Sequence, residues 1–168
     1  MKGIGVVNDF FDSLEKGDTS RIITLLSNSF IVIDPVIGRL SGIRAKHYFC
    51  LLAKQSVLLK TNFKILKTDA FHFRISWNAQ ITLKNKIRIR RKGELTMEYA
   101  DDKISKLTNT HSLTLLLGDF MGVKGYFLGL FPSYKKKFQR RVIDYIDQYT
   151  ESTILQEPGI KEMTSSAY

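Results

Sequence analysis

From Asn62 to Tyr99 the chain keeps a two-residue period, and that run limits the folds open to it. Phe71, Phe73, Ile75, Trp77, Ala79, Ile81 and Leu83 alternate with His72, Arg74, Ser76, Asn78, Gln80 and Thr82, the pattern of a long strand with one face in a core and one in water. Lys84-Asn85-Lys86 reads as a turn, and Ile87, Ile89, Leu95, Met97 and Tyr99 carry the apolar face back. Asp101-Asp102 turns the chain again, into a last strand over Ile104–Leu113. Strands of this length twist and coil, so the sheet is expected to curl around a concave face that helices can close.

Upstream the period is helical. Val6, Val7, Phe10, Phe11 and Leu14 mark a first amphipathic helix, stopped at Lys16-Gly17-Asp18. Asp18 can cap a short second helix, Thr19–Leu26, and a third is expected over about Ser41–Ser56. Three helices before an antiparallel meander make an α+β domain. The expected limits are 1–113 for the main body, 114–150 for an apolar loop and a capping helix, and 151–168 for a flexible tail.

Between the second and third helices lies Phe30-Ile31-Val32-Ile33-Asp34-Pro35, an alternating strand that ends on a carboxylate. A carboxylate at the end of an apolar strand needs partners to offset its desolvation, which makes Asp34 the candidate base. Arg91 and Gly93 fall on the apolar face of the return strand. Either a bulge at Gly93 turns Arg91 to water, or Arg91 is the counter-ion of Asp34. In the last strand Leu107, Asn109 and His111 share a face, so His111 is a candidate acid or shuttle and Asn109 or Arg91 a polarising group.

Composition narrows the classes further. A 168-residue chain, 43% hydrophobic and 25% charged, is in the range of one globular domain. Cys50 is the only cysteine and the three histidines lie far apart, so no disulfide and no structural zinc site is expected, and no cofactor is called for. Asn8, Asp9 and Asp12 break the first apolar run, which does not read as a signal peptide; the expected setting is cytoplasmic, with a membrane-peripheral one as the alternative. Lys and Arg outnumber Asp and Glu by 26 to 16, a net charge of +10. This balance favours anionic partners or marks a solvated basic surface.

The most apolar stretch is Leu113–Phe131, LTLLLGDFMGVKGYFLGLF. It approaches the ~20 residues of a membrane span, but Asp119, Lys124 and four glycines argue against simple insertion. Pro132-Ser133 then opens a helix with Phe138, Val142, Tyr145 and Tyr149 on one stripe and Lys135, Lys136 and Lys137 in its first turn, where cations oppose the helix dipole. Two readings follow: a lid across the mouth of the curled sheet with the last helix packed outside it, or a peripheral contact with an anionic membrane through the apolar loop and Lys135, Lys136, Lys137, Arg140 and Arg141. Nucleic acid is the poorer partner, because no basic–aromatic platform is visible.

Taken in order, Lys16-Gly17-Asp18, Phe30–Val36, Ser41-Gly42 opening a helix that reaches Phe49, Trp77, and Tyr99-Ala100-Asp101-Asp102-Lys103-Ile104 resemble the nuclear transport factor 2-like superfamily, and within it the SnoaL-like polyketide cyclases and ketosteroid isomerase. The resemblance spans about residues 4–113. It implies a cone-shaped antiparallel or mixed sheet on three N-terminal helices, a deep apolar pocket for a small hydrophobic ligand, and homodimers that pair through the sheet. Asp34 matches the general base of ketosteroid isomerase. The oxyanion donors do not carry over: the first-helix tyrosine position falls at Phe10, a supporting tyrosine at Cys50 and the acidic donor at Leu95. Losing one such donor costs ~10²–10³ in rate, so steroid isomerisation by the usual arrangement is not expected. The expected pocket wall is Phe10, Val32, Cys50, Phe73, Trp77, Leu95, Met97 and Asn109. The functional expectation is proton-transfer, dehydration or cyclisation chemistry on a hydrophobic ligand. The alternatives are a non-catalytic binding module and a peripheral lipid-binding protein.

Overall fold

The computed structural model describes residues 2–69 and 71–156. Three helices open the chain: α1 (Lys2–Lys16), α2 (Thr19–Leu25) and α3 (Gly42–Gln55). Between α2 and α3 run β1 (Leu26–Asp34) and β2 (Gly38–Ser41). Four strands follow, β3 (Ser56–Thr68), β4 (His72–Leu83), β5 (Arg88–Ala100) and β6 (Lys103–Thr110), and then α4 (Leu113–Leu128) and α5 (Pro132–Gln156). The strands form one six-stranded sheet in the order β2-β1-β6-β5-β4-β3. All neighbours are antiparallel except β1 and β6, which makes the sheet mixed.

The concave face packs on the N-terminal helices. Phe10, Phe30 and Phe49 meet at ring-centroid distances of 5.3 and 6.1 Å, and Ile22, Leu26, Ile75, Met97, Ile104 and Leu107 fill the space around them. The alternation in β4 and β5 sets this outcome: Phe73, Ile75, Ala79, Ile89, Leu95 and Met97 are buried, while Arg74, Asn78, Gln80, Arg88, Arg90 and Lys92 are exposed.

Several expectations change here. Gly93 is not a bulge: β4 and β5 pair without interruption from Thr82 opposite Arg88 to His72 opposite Glu98. A Cβ at Gly93 would stand 2.2 Å from the Thr110 carbonyl oxygen and 2.9 Å from the Trp77 ring, so glycine is there to let the indole lie across the strand. The last strand ends at Thr110, and Leu113 begins a helix. The apolar stretch that reads as a loop is helical: Ser112 caps it by accepting the Leu115 amide, and Leu113, Leu116 and Leu117 are buried. It is not one straight rod. Gly122 (φ 65°, ψ −149°) breaks it, and the second half folds back so tightly that a Cβ on Gly125 would lie 2.0 Å from the Leu117 carbonyl oxygen. Thr114 closes the hairpin with a 2.8 Å bond to the Gly129 carbonyl. Among the described residues no helix is long and apolar enough to cross a membrane.

The last helix is a wall of the fold rather than an outer layer. Arg44 forks onto Asp147 (2.7 and 2.9 Å), Gln55 donates to the Tyr145 hydroxyl (3.0 Å), and Gln139 donates to the Pro35 carbonyl (2.8 Å). Residues 151–156, read as the start of a tail, continue α5; the rest of that segment lies outside the described residues.

Candidate functional site

The strand that carries Asp34 ends in a turn written into its sequence. The Asp34 carboxylate accepts the Val36 amide at 2.8 Å, and the Ile37 amide reaches the Asp34 carbonyl at 3.2 Å. Aspartate at the first position and proline at the second are the residues such a turn selects. The carboxylate is thereby aimed inward and is 3% exposed.

Parallel pairing of β1 with β6 sets Ile33 opposite Thr108, which brings the next residues of the two strands together. Asn109 Nδ2 donates to Asp34 Oδ2 at 2.7 Å, and the Trp77 indole N–H donates to Asn109 Oδ1 at 2.9 Å. His111, two residues on and on the same face, places Nε2 3.3 Å from Asp34 Oδ1. Its side chain is 7% exposed and its other nitrogen, Nδ1, is buried without a protein partner. From α3, Tyr48 stands beside Asp34 on the same cavity wall; burial first and the adjacent carboxylate second hold this phenol well above its ordinary range, so it stays protonated.

These groups form the polar end of a cavity of about 250 Å³. Apart from Gln55, Arg91 and Tyr145, the remainder of its wall is apolar. It comes from α3 (Leu51, Leu52), the strands (Ile81, Ile89), α4 (Leu116, Phe120) and α5 (Phe138, Val142, Ile146). A mostly apolar cavity with a few convergent polar groups is the usual form of a small-molecule site.

Of the residues selected from sequence, Asp34, His111, Arg91, Trp77 and Asn109 all line this cavity. Phe10, Val32, Cys50, Phe73, Leu95 and Met97 do not; they are buried in the hydrophobic core below it. The reason is depth: each packs against α1, α2 or the facing strands, while the cavity opens further along the sheet, under α4 and α5. Arg91 is not the counter-ion of Asp34. It pairs with Asp119 on α4 (2.6 Å) and donates to the Leu115 carbonyl, which pins α4 over the cavity. Its Nε is buried without a protein partner.

Tyr48 was the residue missed. The resemblance puts the third-helix tyrosine at Cys50, whose thiol is instead turned toward the Thr19 carbonyl (3.8 Å). A signal was present: Tyr48, Leu51, Leu52 and Gln55 follow the i, i+3, i+4, i+7 spacing of one helical face, and all four line the cavity. The basic side chains of α5 stand apart from the cavity. Lys136, Lys137, Arg140 and Arg141 are exposed and Lys135 is half-buried. Among the described residues no group of three or more His, Cys, Asp or Glu side chains could hold a metal ion.

No family model and no curated protein sequence matches the chain. Solved structures do. An epoxide hydrolase of the LEH-like type from M. tuberculosis superposes with a TM-score of 0.55 at 16% identity, covering 77% of this chain and 92% of that one. A protein assigned as a SnoaL-like polyketide cyclase from Jannaschia sp. CCS1 gives a TM-score of 0.61 at 10% identity, covering 73% and 92%. The Δ5-3-ketosteroid isomerase from Mycobacterium sp. gives 0.53 at 14%, covering 64% and 90%. Likeness at such identities bears on architecture: the chain has the α+β nuclear transport factor 2-like fold, with an unclosed six-stranded sheet and an added C-terminal helix.

Proposed function

We propose that this protein is an acid–base enzyme that moves a proton on a small apolar molecule, in the manner of an isomerase, dehydratase or cyclase. The observation that carries this reading is the contact between Asp34 and His111 at the polar end of a mostly apolar cavity. The Asp34 carboxylate is held by two further donors, the Val36 amide and Asn109, with the Tyr48 phenol beside it. The pair acts as one unit. Asp34 shares the Nε2 proton of His111, and the unpartnered Nδ1 is its second proton site. A buried nitrogen with no partner requires an explanation, and exchange with a bound molecule supplies one.

The steps are those of proton abstraction beside a carbonyl. A proton leaves carbon for the Asp34–His111 pair, the electron pair moves onto oxygen, and the proton returns at another position. The negative oxygen needs a donor; Arg91, whose Nε–H is unpartnered, is the proposed one. Such catalysis does not need the tyrosine and acidic donors whose positions are filled by Phe10 and Leu95. The names of the structural neighbours, epoxide hydrolase, polyketide cyclase and ketosteroid isomerase, support small-molecule chemistry on this fold. A homodimer, implied by the resemblance, is part of the proposal, with the mass from light scattering as its readout.

The test uses 2-tetralone, an apolar bicyclic ketone, in D2O, with deuterium uptake beside the carbonyl followed by proton NMR. The wild-type protein accelerates uptake over buffer, and Asp34→Asn and His111→Ala each lower that acceleration by about 10²-fold or more, the usual worth of a positioned base. Absence of acceleration by the wild type, or wild-type rates in either variant, would overturn the reading.

A further inference from the structure

The helical hairpin of α4 exposes apolar side chains that the cavity does not use. Leu116 and Phe120 turn inward, but Val123 is 75% exposed, Phe127 and Phe131 are each 59% exposed and Leu130 is 54% exposed. Met121 and Tyr126 are also exposed. All six fall between Met121 and Phe131, around the Gly122 turn. Large apolar side chains left exposed so close together along the chain mark an interaction site.

Its surroundings select the partner. Between Asp119 and Asp144 the sequence carries Lys124, Lys135, Lys136, Lys137, Arg140 and Arg141 and no acidic residue. Lys124 sits in the hairpin itself, beside Val123, and Lys135, Lys136 and Lys137 lie in the first two turns of α5, a few residues past the exposed Leu130-Phe131 pair. Lysines there oppose the helix dipole and none makes an ion pair among the described residues. A second copy of the chain offering the same face would set these cations against each other. A partner that is apolar inside and anionic at its surface satisfies both halves of the patch, and an anionic bilayer has that composition.

We infer that the α4 hairpin and the start of α5 dock on an anionic membrane surface, with Val123, Phe127 and Phe131 entering the interface and Lys135–Lys137 against the headgroups. Because Leu116 and Phe120 on the same helix roof the cavity, docking sets that roof at the bilayer. This inference does not depend on the proton-transfer reading.

The test is flotation of the full chain with phosphatidylcholine vesicles containing 30% phosphatidylserine, beside vesicles of phosphatidylcholine alone. Binding to the anionic vesicles is expected to exceed binding to neutral ones at least tenfold. It should fall at least tenfold in Val123→Asp/Phe127→Asp and in Lys135→Glu/Lys136→Glu/Lys137→Glu. These side chains are largely at the surface, and melting curves confirm that the variants fold. No flotation with anionic vesicles would overturn the inference, as would binding that survives Val123→Asp/Phe127→Asp, which would be adsorption by charge alone. A lipid-free dimer abolished by Phe127→Asp would assign the face to a second copy and overturn it too.

Discussion

Asn109 donates to Asp34 at 2.7 Å from the neighbouring parallel strand, and its own carbonyl oxygen is held by the indole of Trp77 at 2.9 Å. One amide therefore fixes the carboxylate of the site and the only tryptophan in the chain. Replacing it by alanine leaves two buried polar groups, Asp34 Oδ2 and Trp77 Nε1, without their partner. Each such loss costs about 1–3 kcal/mol. Asn109→Ala is expected to lower the urea midpoint and shift the Trp77 emission, with equilibrium unfolding followed by fluorescence as the check.

Tyr48 gives the pH dependence a sign. Its phenol is held well above the ordinary tyrosine range by burial first and by Asp34 second. A raised acid of this type contributes stability that is complete below pH 10, the ionisation of an unfolded tyrosine, and is lost as the pH climbs toward the folded value. Wild-type protein is expected to lose stability above pH 10 more steeply than Tyr48→Phe. Chemical denaturation of both proteins across that range measures the difference.

Cys50 is set apart from the chemistry. Burial pushes its thiol up to about 11 and the residue is 1% exposed, so thiolate is scarce near neutrality. Native protein at pH 8 is expected to resist a thiol reagent such as dithionitrobenzoate and to release one equivalent on unfolding in guanidinium. Rapid labelling of native protein would contradict the assignment of Cys50 to the core.

Gly93 and Gly125 are expected to be the least replaceable glycines. In each case the added Cβ meets a backbone oxygen, 2.2 Å from Thr110 and 2.0 Å from Leu117. A shift of backbone is required, and strain of this kind costs about 1–3 kcal/mol. Gly93→Ala should also displace the Trp77 ring and change its emission; Gly125→Ala should loosen the hairpin without that change. Thermal melts paired with emission spectra separate the two.

How far the sequence carried depended on whether neighbours along the chain decided the outcome. The alternation through β4 and β5 and the alternating strand that ends on Asp34 are local, and both place their residues on the buried face. Asp34, Asn109 and His111 could be selected because period-two counting puts Asn109 and His111 on one face of β6. The partner of Arg91 could not be read, since Asp119 lies in a stretch whose apolar sequence reads as a loop but which forms α4 across the end of β5. The pocket wall was misplaced toward Phe10, Val32, Cys50 and Met97 because hydrophobicity cannot tell a residue that fills the core from one that faces a cavity. Which of the two it becomes is decided by where α4 and α5 land, through contacts such as Arg44–Asp147 and Gln139–Pro35 that join distant parts of the chain.

The cavity beside Asp34 is proposed to admit an apolar molecule and to engage its polar group there. Titration with 2-naphthol, a flat apolar body bearing one hydroxyl, read through the emission of Trp77 on the cavity wall, tests it most directly. One saturable transition is expected, weakened about tenfold or more in Asp34→Asn, the scale of one lost hydrogen bond to a charged group. A titration that never saturates, or one identical in wild type and Asp34→Asn, would contradict it.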